Sequence, residues 1–182
     1  GVPPDWYQRV ADVCRSMGAL LILDTSGGGL THIKNGVFVL KTSLRELREC
    51  VGRELAMEAE QLAAAHELVD REIAQAVVVS LGSQGALLAT PLHSQRFSAV
   101  PVRTVSGVGA GDAMVAAIVV GLSRSWTLTE SVRFGIAAGA GCGLVLILTV
   151  IAWRSLRSTV AKRAADPDSG GSFDDSAMLT EL

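Results

Sequence analysis

The sequence predicts an α/β layered domain with a largely parallel sheet, on three observations. Short continuous apolar runs alternate with stretches of helical spacing over most of the chain. Hydrophobic residues make up 49% of the sequence but aromatics only 4%, so the core must be built from Ala, Val, Leu and Ile, a mix that suits helices packed on a buried sheet. Several of the apolar runs end in polar or glycine-rich loops, as strands do in an open sheet whose carboxyl ends carry a site.

Taken in order, Pro3-Pro4 precedes a helix with Asp5 as its N-cap and Trp6, Val10, Val13 and Met17 at helical spacing, stopped by Gly18. Ala19-Leu20-Leu21-Ile22-Leu23 reads as a buried parallel strand that ends at Asp24-Thr25-Ser26-Gly27. Val37 to Leu40 is a second strand, closing at Lys41, and a short helix follows from Ser43 to Val51. A longer amphipathic helix is expected over Ala56 to Arg71, with Leu62, Ala65, His66 and Val69 facing inward. Ala76 to Leu81 is the clearest strand, and the turn Gly82 to Gly85 returns it as Ala86 to Ala89, a hairpin. Phe97 to Thr104 alternates as a further strand. Gly107 to Gly111 is a glycine-rich turn into an apolar helix over Asp112 to Leu122, and Thr129 is expected to cap another helix from Glu130 onward.

The chain divides into three segments. Residues 1–143 form the α/β portion, 144–163 are apolar and then basic, and 164–182, with Asp166-Pro167-Asp168-Ser169-Gly170-Gly171-Ser172, have the composition of a disordered tail. Between Phe134 and Trp153 no residue is charged, which meets the minimum length of a membrane span. Glycines at 135, 139, 141 and 143 lower the hydropathy of its first half and favour a tightly packed core helix there instead.

A formal charge of −2 with scattered basic residues excludes nucleic acid as an obligate partner, since phosphate-backbone binding needs a basic face. Cys14, Cys50 and Cys142 lack metal-ligand spacing and read as reduced thiols. No secretory signal opens the chain, and the expected compartment is the cytoplasm.

The chemistry centres on Ser106-Gly107-Val108-Gly109-Ala110-Gly111-Asp112. Glycines let the backbone turn sharply into the helix. The N–H groups of Ala110, Gly111 and Asp112 would then point out of a helix N-terminus, where the dipole favours an anion. A transferring phosphoryl group needs such fixed donors, and a carboxylate at the same turn can take the proton of an attacking hydroxyl. On its own, this pattern is equally that of a capped helix start. Three other loops follow strands and belong at the same sheet edge: Asp24 to Gly27, Lys41 to Leu47, and Ser80 to Ala86. Taken singly, Glu46 fits a solvated helix face, Lys41 a surface cation, and Gly82 and Gly85 a plain hairpin turn.

In combination these segments resemble the PfkB (ribokinase-like) carbohydrate kinases, and within that family the minor bacterial 6-phosphofructokinases. Val105 to Ala117 is similar to the family's Gly-Ala-Gly-Asp signature, Ser80 to Ala86 to its nucleotide-loop strand and turn, and Val132 to Gly139 to the helix bordering the adenine. The resemblance runs from Gly1 to about Gly139 and implies a ribokinase-like α/β/α fold. It also implies ATP-dependent phosphorylation, with Mg2+, of a sugar or of a sugar phosphate such as fructose 6-phosphate, by an enzyme that can form a homodimer. By the resemblance, Asp112 is the catalytic base and the amides of Gly109, Ala110, Gly111 and Asp112 form the anion hole. Lys41, Ser80, Gly82, Gly85 and Gly111 contact nucleotide, and Glu46 organises the metal through water. The chain departs from the pattern where the family reads Lys-Pro-Asn, because here Lys41-Thr42-Ser43 replaces the amide with a shorter hydroxyl. Gly1 falls about halfway along the family chain, so the sugar-holding half and β-sheet lid are expected to be missing. This leaves a second expectation, a truncated and inactive nucleotide-binding or membrane-tethered fragment.

Overall fold

The computed structural model describes residues 2–25, 28–101 and 107–141, all within a compact unit that spans Gly1–Gly143. The expected segments 144–163 and 164–182, and the second half of the uncharged run, lie outside the described residues.

Five strands form one sheet in the order of the chain: β1 (Ile22–Asp24), β2 (Val37–Ser43), β3 (Ala74–Ser80), β4 (Ala86–Ala89) and β5 (Ser94–Phe97). The first three are parallel, and β4 and β5 return antiparallel. Helices α1 (Trp6–Ser16), α2 (Gly28–Thr31), α3 (Leu44–Val51), α4 (Glu58–Asp70) and α5 (Ala110–Ser123) accompany them, with a further helix, α6, over residues 128–141. This is the α/β architecture expected from the alternating pattern.

Two apolar clusters lie on the two faces of the sheet. Leu47 of α3 and Ala64, Ala65, Leu68 and Val69 of α4 pack with Val37, Leu40, Val77, Val79 and Leu87. On the other face, Met114 and Ile118 of α5 and Val132 of α6 pack with Val39, Val78, Leu88 and Phe97. Adjacent positions of β2 and β3 point to opposite faces and both are covered, which is why these strands read as continuous apolar runs.

Several boundaries differ from the expectation, each for a local reason. Asp5 makes no side-chain cap hydrogen bond, because its carboxylate is engaged by Arg9 Nε at 2.8 Å. Trp6, Val13 and Met17 form an exposed stripe, and Ala11 is the fully buried residue of α1. The first strand shrinks to three residues, and Leu20 is exposed. The buried face of α4 is Gln61, Ala64, Ala65, Leu68 and Val69, while His66 is half-buried at the edge and pairs with Ser94.

Of the strand expected over 97–104, Phe97 ends a strand at Ser94–Phe97, residues 98–101 are not strand, and 102–104 lie outside the described residues. The partner of that strand, β4, has only four residues, so β5 has nothing to pair with beyond the Ala86–Phe97 rung. The cap of α6 is Thr127 rather than Thr129: Glu130 N–H donates to Thr127 Oγ1 at 3.2 Å and Thr127 N–H to Glu130 Oε2 at 2.8 Å.

The glycine-rich start of the uncharged run is a packed helix. A Cβ on Gly135 would lie 2.9 Å from the Met114 carbonyl oxygen, and one on Gly139 would lie 2.9 Å from that of Ala110. No helix among the described residues is long and apolar enough to cross a membrane. Substituting Gly135→Val should destabilise the protein by about 1–3 kcal/mol through overpacking. Urea unfolding would read this as a lower midpoint at unchanged slope, and an unchanged midpoint would mean that α5 and α6 are not in close contact in solution.

Candidate functional site

Parallel strands end on the same side of a sheet, so β1 and β2 deliver their last residues to one place. Asp24 pairs in register with Lys41, and Ser43 with Ser80. Beside the β1 and β2 ends, a cleft of about 300 Å³ is lined by Asp24, Thr25, Lys41, Glu46, Gly109, Gly111 and Asp112. The sequence assigned roles to five of these residues from two separate loops, and the structure brings those five together. It missed Asp24 and Thr25 as individual side chains. The available signal was an Asp placed as the last residue of an apolar run, opposite a Lys that closes the next one.

Lys41 is not a surface cation. Its side chain is 7% exposed against 24% for Asp24, and its Nζ donates to Asp24 Oδ2 at 2.8 Å. The ammonium also lies against the helix start: a Cβ on Gly111 would sit 2.8 Å from Lys41 Nζ. Any side chain at 111 would displace the ammonium, which gives that glycine a steric reason.

Glu46 stands at the third position of α3, in a capping box with Ser43. Ser43 N–H donates to Glu46 Oε2 at 2.8 Å and Glu46 N–H to Ser43 Oγ at 3.3 Å. Its side chain is only 13% exposed. Burial by itself pushes the Glu46 carboxyl up. The hydrogen bonds from Ser43 and the nearby charges of Lys41 and Arg45 outweigh it, and the net shift is below the usual glutamate range. The Ser43 hydroxyl thus serves as the helix cap, and it anchors Glu46 at the cleft wall.

The turn into α5 is built on Gly109, whose φ of 79° is left-handed and favours glycine. Asp112 stands exposed in the first turn of α5. One expectation is corrected here. The Ala110 N–H is not free, because it donates to the Gly107 carbonyl oxygen at 3.2 Å in the turn. The donors left without an intrahelical acceptor start at Gly111 and Asp112.

Ser80, Gly82 and Gly85 lie at the carboxyl end of β3, outside the lining of this cleft. Ser80 Oγ donates to the Thr42 carbonyl oxygen at 3.3 Å. Gly85 has φ 93°, and a Cβ there would fall 2.1 Å from the Phe97 carbonyl oxygen, so the close approach of β5 alone requires glycine. Among the described residues no group of three or more His, Cys, Asp or Glu is placed to hold a metal ion unaided.

Residues 1–142 match the model of the pfkB family of carbohydrate kinases. The chain is 71% identical over 140 residues to an ATP-dependent 6-phosphofructokinase isozyme 2 of Mycobacterium tuberculosis, covering 77% of this chain and 41% of that protein. Its fold superposes with a TM-score of 0.73, at 35% identity, on the crystal structure of phosphofructokinase-2 from Escherichia coli in complex with fructose-6-phosphate, covering 79% of this chain and 48% of that one. A ribokinase from Arabidopsis thaliana, at 24% identity, shares the fold with a TM-score of 0.68 over 78% of this chain and 47% of that one. The chain thus spans under half the length of these relatives.

The capping box makes a pH-dependent contribution to stability. With the folded-state affinity of Glu46 for protons lowered, its stabilisation is present above the ordinary glutamate range and is lost as pH falls through that range and below it. Ser43→Ala should cost about 1 kcal/mol at neutral pH. The gap to wild type should narrow in denaturation curves taken at progressively more acid pH, and a pH-independent gap would exclude the Glu46 contact as its source.

Proposed function

The chain belongs to the pfkB family of carbohydrate kinases, and on that premise we propose that it acts in ATP-dependent phosphorylation of a sugar-phosphate hydroxyl, with fructose 6-phosphate as the expected acceptor. The observation that carries the proposal is the single cleft in which Lys41, Glu46, Asp112 and the first turn of α5 meet. Phosphoryl transfer asks a protein mainly to position its reactants and to stabilise charge on the moving group, and these residues supply both.

In this reading the acceptor hydroxyl lies against Asp112 and passes its proton to that carboxylate as its oxygen attacks the γ-phosphorus. A new oxygen–phosphorus bond forms while the bond from the γ-phosphorus to the β–γ bridging oxygen breaks, and ADP leaves. The Gly111 and Asp112 amides and the positive end of α5 face the charge that develops on the transferred group. Lys41 is held at the same turn and binds phosphate oxygens.

Ser80 and the 82–85 turn stand at the end of the neighbouring strand, where they would border the nucleotide. A magnesium ion, when bound, neutralises phosphate charge. Such ions are held by one or two carboxylates together with substrate phosphates, and the donor set here fits, with Glu46 as the carboxylate that would hold the ion, through water.

Purified protein given ATP, magnesium and fructose 6-phosphate should release ADP in step with formation of a bisphosphate. Asp112→Asn should lower kcat by about 10²–10⁴-fold, the usual share of a general base, while ATP binding stays near the wild-type level. An Asp112→Asn protein with unchanged kcat would remove Asp112 from the mechanism. A wild-type chain that binds ATP without turnover would favour the second reading, a nucleotide-binding fragment.

A further inference from the structure

We infer that Asp24 sets which anions the cleft accepts: it admits a polyphosphate in complex with a divalent cation and turns away the same polyphosphate without one. The inference rests on the kinase reading above and extends it to a residue which that reading leaves without a role.

Lys41 is the only cationic side chain among the described residues that line the cleft. Its ammonium already has a counter-charge, with Asp24 Oδ2 at 2.8 Å from Nζ. The pair sits at the point where a phosphate would arrive, since a Cβ on Gly111 would lie 2.8 Å from Lys41 Nζ and 3.8 Å from Asp24 Oδ2. Glu46 and Asp112 line the same cleft, so three carboxylates face one ammonium. The positive end of α5 adds only about half a charge.

An uncomplexed polyphosphate therefore meets a neutralised lysine and two further carboxylates at short range, where like charges repel strongly even with the screening typical near a protein surface. A divalent cation reverses this balance, because it can be shared between phosphate oxygens and the same carboxylates. Among the described residues no group of three or more His, Cys, Asp or Glu is placed to hold the cation alone, which favours its arrival with the anion.

A purely structural ion pair would make a different prediction. Its loss would lower stability and leave the preference between the two forms of the ligand as it was. If Asp24 is the discriminator, neutralising it while keeping its shape frees Lys41 for phosphate and raises affinity for the metal-free form specifically.

The test is calorimetric titration of the full chain at constant ionic strength, with ATP in excess EDTA and with magnesium–ATP. Wild type should prefer the magnesium complex by about tenfold or more, and Asp24→Asn should bring the two affinities close together by tightening metal-free ATP about tenfold. Asp24→Glu keeps the charge and should keep the wild-type preference. A folded Asp24→Asn protein, as judged by its thermal melt, that binds metal-free ATP no better than wild type would overturn the inference. Should Asp24→Asn fail to fold, wild type and Asp24→Glu decide: a shared preference for the magnesium complex sustains the inference, and equal affinity for both forms overturns it. Wild type that binds neither form would overturn the kinase reading itself, a distinct result.

Discussion

An ammonium withdrawn from water to 7% exposure needs a charged partner, and the parallel register of β1 and β2 provides one for Lys41 in Asp24. The rest of the site depends on that contact. A one-residue slip between these strands would turn the Lys41 side chain to the opposite face of the sheet. The ammonium would then leave the start of α5, and the cleft would lose its only described cation. Register is fixed in turn by the two apolar residues that precede Lys41, because Val39 and Leu40 go to opposite cores and both are fully buried.

Much of this was legible in the sequence. Uninterrupted runs such as Ala76 to Leu81 announce a strand covered on both faces, and the order of the loops at the strand ends announces a shared edge. The site residues taken from those loops were recoverable because chemistry and backbone coincide: Gly109 must adopt a left-handed φ, and Asp112 must follow within a turn. Residues whose importance arises only from a neighbour were harder to find. Nothing local to Asp24 says that it touches Lys41, which stands seventeen positions away.

What lies against each helix face was harder to read for a related reason. Trp6, Val13 and Met17 recur at helical spacing, yet they stay exposed while Ala11 takes the buried position. Periodicity reports that a helix has an apolar side; it carries no information on what lies against that side. Caps were misplaced for a different reason. Asp5 and Thr129 are both good capping residue types, but Asp5 is claimed by Arg9, and Thr129 Oγ1 donates to Gln95 Oε1 at 3.2 Å. Competing partners, invisible in one dimension, moved or removed the cap.

The turn at Gly109 to Asp112 would be of little use if α5 could shift over the sheet, and the small residues of α6 bear on that point. Gly121 faces Ser131, Gly135 faces Met114 and Gly139 faces the Ala110 carbonyl, each closely enough that a Cβ would fall within 3.0 Å of a neighbouring atom. Three such contacts along one helix pair act as a rail, since sliding along it would drive backbone into backbone. The same Met114 and Ile118 that meet Gly135 also pack against Val39 and Val78 of the central strands. The helix that carries the acidic residue is thereby held by both α6 and the sheet, and the last of the three contacts falls at its first residue. Glycines that look like a departure from a helix-forming composition are what lets α6 fix the start of α5, and with it the distance from Asp112 to Lys41.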